Sequence, residues 1–513
     1  MTADAAGARL VDPLIVAAGS HPDRLAVVDG QVRWSFAELD AAAGAIARGL
    51  AGAGLTPLGR VALLAAETAP TVAAIHAIRR SGAVLVPLNR RAAAAELAAQ
   101  LDDAAIGLLV HDGPTAELAT IAGGRATGGV RLLAMDELMA SPPLPARPAT
   151  GRPTHRATDP AALEPDAPAT LVFTSGTTGR PKAAILTHAA HAASAAAWAA
   201  FLRPAPTDRW LACLPFHHVA GLGMIDRAAR WGVPLVVHPR FDPVAVDAAI
   251  DGDAISHLSL VGSTLGRLLE ARAGRPAPAS LRAILLGGER TPPELVRAAA
   301  LGGLPVVPTY GLTETGSGVV ALPTEEAAGH PDAAGRPLPG VDLRIRLGGR
   351  IASPGEVGEI EVRGPMLFAG YLARPGETRA AFDDGWLRTG DLGSLDETGR
   401  LVVADRRDDL IVSGGENVYP AEVEAVLLAH PGVADAAVVG RPDPRWGAVP
   451  VAAIVERSGA APTDAELDAH CRASLAGYKI PVAFERVGAL PRSPGGKLLR
   501  RELRVRAGAE VAR

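Results

Sequence analysis

The chain has 513 residues, which is too long for a single hydrophobic core, so we expect two or more domains. Its 51 basic and 55 acidic residues nearly balance, and the formal net charge of −4 argues against nucleic acid or an anionic membrane surface as a partner. The two cysteines, Cys213 and Cys471, lie too far apart for metal or redox spacing and are too few for a disulfide framework.

No targeting segment is predicted. Residues 1–13 contain two aspartates and lack a basic segment ahead of an apolar core, so we expect no signal peptide. The alanine-rich run 189–200 is interrupted by polar residues and is too short to span a bilayer. We predict instead that it is a helix capped by Thr187, in a soluble cytoplasmic protein.

Strand-like and helix-like patterns alternate over the first 168 residues, which favours an α/β fold. Apolar runs at 24–28 and 82–87 predict strands, and amphipathic patterns at 36–53 and 68–80 predict helices. Residues 140–168 are rich in proline, alanine and threonine and are predicted to form an exposed connection.

The next stretch is a loop rich in hydroxyl groups and glycine. It consists of Thr174, Ser175, Gly176, Thr177, Thr178, Gly179, Arg180, Pro181 and Lys182. Glycines let backbone N–H groups approach an anion, hydroxyls add donors and a lysine adds positive charge, which together suit a polyphosphate. A Walker A loop is disfavoured, because two residues separate Gly179 from Lys182 and no hydroxyl residue follows the lysine. Without further motifs, a solvated surface loop would be the better interpretation.

This loop resembles the phosphate-binding signature of the adenylate-forming superfamily, which contains acyl-CoA synthetases, luciferases and the adenylation domains of peptide synthetases. Every position of that signature is met. The resemblance implies an α/β fold with a large N-terminal domain of layered α/β sheets plus a β-barrel-like subdomain, and a small mobile C-terminal α+β domain. It implies an AMP-binding domain at 1–404, a hinge at 405–408 that turns about Asp408, and a C-terminal domain at 409–513.

A second motif, residues 214–223, contains two adjacent histidines. An isolated histidine in such a run would more often belong to the core. In acyl-CoA synthetases a similar stretch lines the acyl pocket, where His218 matches the family's histidine and His217 replaces a usual aromatic residue. By this resemblance the pocket is lined by His218, Val219, Gly221, Gly262 and Leu312.

Two further motifs suit the adenine and the phosphates. They are Gly287, Gly288 and Glu289 after the strand 283–286, and the hexad Tyr310, Gly311, Leu312, Thr313, Glu314 and Thr315. Paired glycines let backbone come close to a flat ring. Tyr310 offers a face for stacking on adenine, Thr313 can donate to the α-phosphate, and Glu314 is a hard oxygen ligand for Mg²⁺.

The ribose has a predicted site further along, after a predicted strand at 358–364. A carboxylate can accept hydrogen bonds from both vicinal hydroxyls of a ribose. The resemblance gives this role to Asp391, assisted by Arg406. Taken alone, the sequence around Asp391 would be a turn.

Beyond the charged run 405–409, about a hundred residues are predicted to form an independent α+β unit. Its predicted elements are a helix at 420–430, strands at 436–440 and 449–455, and a further helix opened by a capping box at Thr463.

Two motifs of this unit carry roles by resemblance. One approaches the pantetheine of CoA and consists of Ser413, Gly414, Gly415 and Glu416. The other ends on Lys497, the lysine that the family uses for adenylation. Without the resemblance, a Gly-Gly turn that presents one lysine would be a surface hairpin.

The resemblance implies a reaction in two halves. A carboxylate attacks the α-phosphorus of MgATP, which releases pyrophosphate and leaves an acyl-adenylate, and the thiol of CoA then expels AMP. The implied catalytic residues are Lys182, Thr313, Glu314 and Lys497, with ATP, Mg²⁺ and CoA as the required small molecules. We expect Lys497 to serve the first half only.

The acyl substrate stays open at this point. Amino-acid-activating domains keep an aspartate near the position of His218 and Val219, and none is present, so an amino acid is disfavoured as the substrate. We also expect no carrier-protein domain after Lys497, which favours CoA over a tethered thiol. Segments 215–243, 260–269 and 285–288 resemble the o-succinylbenzoate–CoA ligases. The alternatives are a medium-chain fatty or aryl acid, an acyl-AMP ligase that loads a carrier protein, and a non-catalytic nucleotide-binding relative. We expect only small-molecule partners and a monomer or homodimer.

Overall fold

A computed structural model describes residues 10–30, 32–92, 94–141, 162–174, 182–288, 291–406, 411–413, 416–418, 420–443, 446–473, 475, 477–493 and 498–506. The chain divides into two compact units. The N-terminal unit comprises residues 1–331, 335–342 and 363–387, and the C-terminal unit comprises residues 332–334, 343–362 and 388–513. The boundary predicted at residue 405 differs from this division and stays a prediction, since Asp408 lies outside the described residues.

The helices, in chain order, are α1 (Pro13–Ser20), α2 (Phe36–Gly52), α3 (Ala69–Arg80), α4 (Ala94–Asp103), α5 (Ala116–Arg125), α6 (Met135–Met139), α7 (His188–Leu202), α8 (Val219–Trp231), α9 (Pro243–Gly252), α10 (Gly262–Arg272), α11 (Pro293–Leu301), α12 (Thr324–Ala327), α13 (Pro375–Ala381), α14 (Pro420–Leu428), α15 (Asp464–Arg472) and α16 (Arg500–Arg506).

The strands, in chain order, are β1 (Leu10–Val11), β2 (Leu25–Asp29), β3 (Val32–Ser35), β4 (Arg60–Leu64), β5 (Val84–Pro87), β6 (Leu108–His111), β7 (Arg131–Ala134), β8 (Ala162–Leu163), β9 (Pro168–Thr174), β10 (Lys182–Thr187), β11 (Trp210–Ala212), β12 (Leu235–Val237), β13 (His257–Leu260), β14 (Ala283–Leu286), β15 (Val306–Leu312), β16 (Ser317–Ala321), β17 (Arg336–Pro337), β18 (Asp342–Leu347), β19 (Arg350–Ile351), β20 (Gly358–Arg363), β21 (Gly370–Tyr371), β22 (Phe382–Asp383), β23 (Trp386–Leu395), β24 (Leu401–Arg406), β25 (Ile411–Ser413), β26 (Glu416–Val418), β27 (Val433–Asp443), β28 (Gly447–Glu456) and β29 (Phe484–Arg486).

One sheet of the N-terminal unit has the strand order β21-β10-β9-β5-β4-β6-β7. The strands from β9 to β7 pair in parallel, whereas β10 pairs antiparallel with both β9 and β21. Leu64 of β4, Val86 of β5 and Leu101 of α4 share one core cluster under this sheet. The antiparallel pair β9–β10 is the part that carries the predicted phosphate loop.

A second sheet of the N-terminal unit has the order β17-β16-β15-β14-β13-β11-β12-β2-β3. Its central strands β15, β14, β13, β11, β12 and β2 run parallel to one another. Every residue of β11, β12, β13 and β14 is buried, as expected for parallel strands covered on both faces. The carboxyl ends of these strands therefore form one edge of the sheet.

The C-terminal unit contains two sheets. One includes β19, β18, β20, β23 and β24. Three of the sequence boundaries between the two units fall within β18, β20 and β23. The other has the order β26-β25-β28-β27, with β29 beside β28. Its core joins Val423 of α14, Val438 of β27 and Leu467 of α15, so the predicted α+β character is confirmed.

Most predicted elements are observed within a few residues of their predicted bounds. The predicted helices at 36–53 and 68–80 correspond to α2 and α3. Thr187 caps α7 by accepting a hydrogen bond from the backbone N–H of Ala190 at 3.0 Å. The capping box at Thr463 is also present, with Glu466 as its partner. Across the described parts of the chain, we find no helix long and apolar enough to cross a membrane.

Candidate active site

The ends of the predicted phosphate loop are held by the β9–β10 hairpin. Thr174 and Lys182 are register partners in this antiparallel pair, and the hydroxyl of Thr174 donates to the carbonyl of Lys182 at 3.4 Å. Ser175, Gly176, Thr177, Thr178 and Gly179 lie outside the described residues. The hairpin thus presents the threonine and the lysine side by side at the base of the loop.

Lys182 contacts two side chains that the sequence analysis did not single out. Its ammonium group forms an ion pair with Glu377 on α13 and lies 5.2 Å from the ring centre of Tyr371 on β21. Its side chain is largely covered. The predicted phosphate-binding cation is therefore held by a carboxylate and an aromatic face.

Tyr371 also contacts the predicted metal ligand. Its hydroxyl donates to Oε1 of Glu314 at 2.7 Å, and the backbone N–H of Phe368 donates to the carbonyl of Glu314 at 2.9 Å. Burial and the neighbouring Glu314 carboxylate raise the pKa of Tyr371 far above its ordinary value, so the hydroxyl remains a donor. The structure therefore brings Lys182 and Glu314 together through Tyr371.

The hexad around Glu314 spans the end of β15 and a tight turn. Thr313, Glu314 and Thr315 form a 3₁₀ turn, in which the Thr315 hydroxyl accepts a hydrogen bond from the backbone N–H of Leu312 at 2.8 Å. A Cβ at Gly311 would lie 1.9 Å from the carbonyl oxygen of Ser317, so only glycine fits between β15 and β16. Tyr310 is 8% exposed, so its ring is largely covered.

Three predicted pocket residues and the predicted adenine-site residue Gly288 follow or end neighbouring parallel strands, on the side of their carboxyl ends. His218 follows β11, Gly262 follows β13, Gly288 follows β14, and Leu312 ends β15. These strands are adjacent in the sheet, so the four positions share one edge, where ligands bind in open α/β sheets. Gly288 has φ of +81°, a conformation that favours glycine. Glu289 lies outside the described residues.

His218 forms the N-cap of α8, and Val219 is its first residue. A Cβ at Gly221 would lie 2.3 Å from the carbonyl oxygen of Pro215, so a glycine is required for the turn to fold against the helix. Burial, with contributions from His218, Arg91 and Arg90, lowers the pKa of His217 to about 3, and its Nε2 has no hydrogen-bond partner within the described chain. His217 is thus a neutral imidazole beside the predicted acyl pocket.

Further along α8 lies a buried arginine that the sequence analysis missed. The guanidinium carbon of Arg227 is 5.0 Å from the ring centre of Trp198 and 5.6 Å from that of Trp210. Its Nε and Nη2, together with both indole nitrogens, have no hydrogen-bond partner among the described residues. Burial lowers the pKa of Arg227 to about 9, which still leaves it charged at neutral pH.

The carboxylate of Asp226, the neighbour of Arg227 in sequence, forms ion pairs with other arginines. Asp226 lies 3.0 Å from Nη1 of Arg79 on α3 and 2.6 Å from Nε of Arg230, one turn further along α8. Burial alone would raise the pKa of Asp226, but the charges of Arg230 and Arg79 outweigh it and hold the pKa far below its ordinary value. Arg227 is consequently left as a buried cation with unused donors.

In the C-terminal unit, the predicted ribose residues are brought together. Asp391 of β23 and Arg406 of β24 are register partners in an antiparallel pair. Asp391 is buried, and its backbone N–H donates to the Thr389 hydroxyl at 3.1 Å. The two residues are fifteen positions apart in sequence but directly opposite each other in the paired strands.

The remaining predicted residues of this unit are only partly described. Ser413 and Glu416 are register partners in the β25–β26 hairpin, while Gly414 and Gly415 lie outside the described residues. Lys497 also lies outside them. The segments that flank it pair with each other through the antiparallel bridge between Arg492 and Leu498.

Comparison with known proteins assigns the chain to a family. The sequence model described as AMP-binding enzyme matches residues 15–372, and the model of the AMP-binding enzyme C-terminal domain matches residues 422–497. The chain belongs to the AMP-binding enzyme family.

This AMP-binding enzyme has curated relatives that align over nearly their whole length. The 2-succinylbenzoate–CoA ligase of Geobacillus kaustophilus is 40% identical over 483 residues, which cover 94% of this chain and 95% of the relative. The 2-succinylbenzoate–CoA ligase of Bacillus velezensis is 40% identical over 492 residues, which cover 96% of each chain.

Solved structures agree with this assignment. The o-succinylbenzoate CoA synthetase of Bacillus subtilis, in complex with ATP and magnesium ion, matches with a TM-score of 0.88 and 37% identity, covering 97% of this chain and 100% of that one. A fatty acyl CoA synthetase of Mycobacterium tuberculosis matches with a TM-score of 0.76 and 32% identity over 96% of this chain and 97% of that one. The predicted superfamily and its fold class, α/β with a large N-terminal and a small C-terminal domain, are confirmed, and this AMP-binding enzyme is an AMP-forming acid–thiol ligase.

The described residues of this AMP-binding enzyme fit a magnesium ion that is held mainly by its nucleotide. They contain no group of three or more His, Cys, Asp or Glu side chains that could hold a metal ion. The hydroxyl of Tyr371 donates a hydrogen bond to Oε1 of Glu314, and Oε2 of Glu314 makes no hydrogen bond to any described residue. One free carboxylate oxygen completed by phosphate oxygens and water is a donor set that Mg²⁺ accepts.

Proposed function

We propose that this enzyme converts o-succinylbenzoate to its CoA thioester through an acyl-adenylate. The observation that carries the choice of acid is Arg227, a buried cation with unused donors on α8, the helix whose first residue is the predicted pocket residue Val219. o-Succinylbenzoate carries two carboxylates. One is consumed by adenylation and the other keeps its charge, so it needs a cation in the pocket.

The position of Arg227 supports this pairing. Long helical side chains lean toward the helix N-terminus, and a Cβ at Gly223 would lie 3.1 Å from Nη2 of Arg227. The guanidinium therefore lies over the preceding turn of α8, nearer to His218 and Val219. A buried guanidinium without an ion-pair partner is costly, and a carboxylate ligand would reduce that cost.

The first half-reaction depends on positioning and charge neutralisation. We propose that Thr174 and Lys182 bind phosphate oxygens, that Thr313 donates to the α-phosphate, and that Glu314 binds Mg²⁺. When bound, Mg²⁺ neutralises charge on the phosphates as pyrophosphate leaves. Lys497 would stabilise the same charge from the C-terminal domain, whereas Asp391 and Arg406 would bind the ribose.

The adenine and CoA sites are proposed on the same basis. Backbone at Gly288, Glu289 and Gly311 would approach the adenine, on which Tyr310 would stack. Ser413, Gly414, Gly415 and Glu416 would approach the pantetheine, with Asp408 as the hinge between the two half-reactions. We further propose that the protein is cytoplasmic and has no nucleic-acid or membrane partners. We also propose that it is a monomer or homodimer, which light scattering of the purified protein would test.

The proposal is tested by a matched pair of acids. Pyrophosphate release should depend on o-succinylbenzoate, and 4-oxo-4-phenylbutanoate, which lacks the ring carboxylate, should be a much poorer substrate. AMP release should then depend on CoA. Comparable use of both acids would contradict the assigned substrate, and pyrophosphate release without CoA-dependent AMP release would indicate transfer to a carrier protein instead.

A further inference from the structure

One tyrosine connects the two charged groups that the proposed first half-reaction uses. Tyr371 places its hydroxyl 2.7 Å from Oε1 of Glu314 and its ring 5.2 Å from Nζ of Lys182. Glu314 is separated from Tyr371 by 57 positions in sequence, and Lys182 lies in a different strand. The contact therefore depends on tertiary structure.

The backbone around Tyr371 is anchored on both sides. Ala369 donates to the carbonyl of Ile185 at 2.8 Å and Leu372 donates to that of Ala183 at 2.9 Å, so β21 is paired to β10 next to Lys182. On the other side, the Phe368 N–H donates to the carbonyl of Glu314 at 2.9 Å. The Tyr371 hydroxyl consequently has a defined position relative to both groups.

Ring packing restricts Tyr371 further. Phe368 packs edge-on against its ring, with the centres 4.8 Å apart, and the Tyr371 N–H donates to the Thr378 hydroxyl at 2.9 Å. A side chain held at its ring and backbone loses little conformational entropy when its hydroxyl binds a partner. Such a hydroxyl can fix the orientation of a neighbouring carboxylate.

We propose that Tyr371 is a positioning residue for the metal-binding carboxylate. Its hydroxyl holds Oε1 of Glu314 and so directs Oε2 toward the divalent cation that arrives with ATP. The inference rests on the proposed adenylation, in which Glu314 binds that cation. Tyr371 itself touches neither the acid nor the reacting phosphorus in this assignment.

Tyr371→Phe tests the proposal, because it removes the hydroxyl and keeps the ring that packs against Phe368 and Lys182. ATP binding is measured by calorimetry with Mg²⁺ and again with EDTA, in the absence of any acid. The ratio of the two dissociation constants reports the cation's contribution without turnover. We expect this ratio, the dissociation constant with EDTA divided by that with Mg²⁺, to fall about tenfold or more in the variant, the loss expected for one charge-assisted hydrogen bond.

Tyr478→Phe is the matched control, because it removes a phenolic hydroxyl from an exposed residue of the C-terminal unit. That variant should keep the wild-type ratio. A melting curve without ligand should show that Tyr371→Phe is folded, with no more loss of stability than one hydrogen bond to a carboxylate accounts for.

Two outcomes would overturn the proposal. An unchanged ratio would mean that the hydroxyl does not position Glu314, and a larger ratio would mean that it competes with the cation. Failure of the proposed function is distinguishable, because the wild-type enzyme would then release no pyrophosphate with any carboxylic acid while the binding ratio could still be measured.

Discussion

Arg227 lies with its guanidinium carbon 5.0 Å from the ring centre of Trp198, and it makes no ion pair with any described residue. The nearest carboxylate in sequence, Asp226, is held by Arg79 and Arg230. An enzyme core that contains a charge without a counter-ion is less stable than one with an apolar residue there. The arrangement is explained if the counter-ion comes with the substrate.

Arg227→Met should therefore separate substrate recognition from stability. We expect the KM for o-succinylbenzoate to rise about tenfold or more, because a charge-assisted pair is lost, while the KM for 4-oxo-4-phenylbutanoate changes little. The melting temperature without ligand should stay equal or rise. Steady-state pyrophosphate release and thermal unfolding measure the two effects.

The control is Arg267→Met, which removes an exposed arginine whose guanidinium carbon lies 5.2 Å from the ring centre of Phe241. It should leave both KM values unchanged. Equal increases in the KM for the two acids after Arg227→Met would contradict a role in binding the second carboxylate.

Glu377 competes with the nucleotide for Lys182 in the proposed mechanism. The ammonium group of Lys182 pairs with Glu377, so this pair has to open before the lysine can bind a phosphate. Glu377→Gln should lower the KM for ATP by up to about fivefold, since partly exposed pairs contribute about 1 kcal/mol or less. Glu356→Gln, which breaks the exposed pair with Arg350, is the control and should leave the KM unchanged. An increase in the KM for ATP after Glu377→Gln would show that Glu377 assists binding.

Buried neutral histidines should make the fold sensitive to mild acid. Burial lowers the pKa of His76 to about 4 and that of His191 to about 3. The unfolded chain binds these protons near the ordinary histidine pKa of about 6.5, so stability is fully present above that pH and falls as the pH drops toward 4. Each such histidine contributes a slope of up to about 1.4 kcal/mol per pH unit.

His191→Gln should reduce the slope of folding stability against pH by the contribution of one proton, which is up to about 1.4 kcal/mol per pH unit. The imidazole Nε2 of His191 lies 2.9 Å from the Thr170 hydroxyl, and glutamine can replace this hydrogen bond without titrating. Urea unfolding at several pH values between 7 and 4.5 provides the measurement, with the exposed His21→Gln as the control. An unchanged slope would show that His191 is protonated in the folded state.

Lys497 should matter to one half-reaction only. We expect Lys497→Ala to lose acyl-adenylate formation by about two orders of magnitude or more, as is typical when a preorganised charge is removed. Conversion of a supplied acyl-adenylate with CoA should continue at close to the wild-type rate. Single-turnover assays of each half-reaction measure this, and equal loss in both would contradict the assignment.

Local sequence was sufficient wherever a short segment determines its own conformation. The helix cap at Thr187, the capping box at Thr463 and the buried strand Ala283–Leu286 follow from neighbouring residues, and the structure confirms each. Motif order likewise predicted the family, because glycines and hydroxyl residues at defined spacing are required for a phosphate loop.

Tertiary structure decided which side chains meet. Tyr371 binds Glu314, Glu377 binds Lys182, and Trp198 lies against Arg227, although these partners are distant in sequence and no local pattern marks them. Their contacts follow from strand pairing and helix packing, which bring together residues that local propensity treats as independent. The sequence by itself determined the family and the elements that carry the motifs, whereas only the fold determined which side chain contacts the proposed metal ligand Glu314 and which buried cation has unused donors among the described residues.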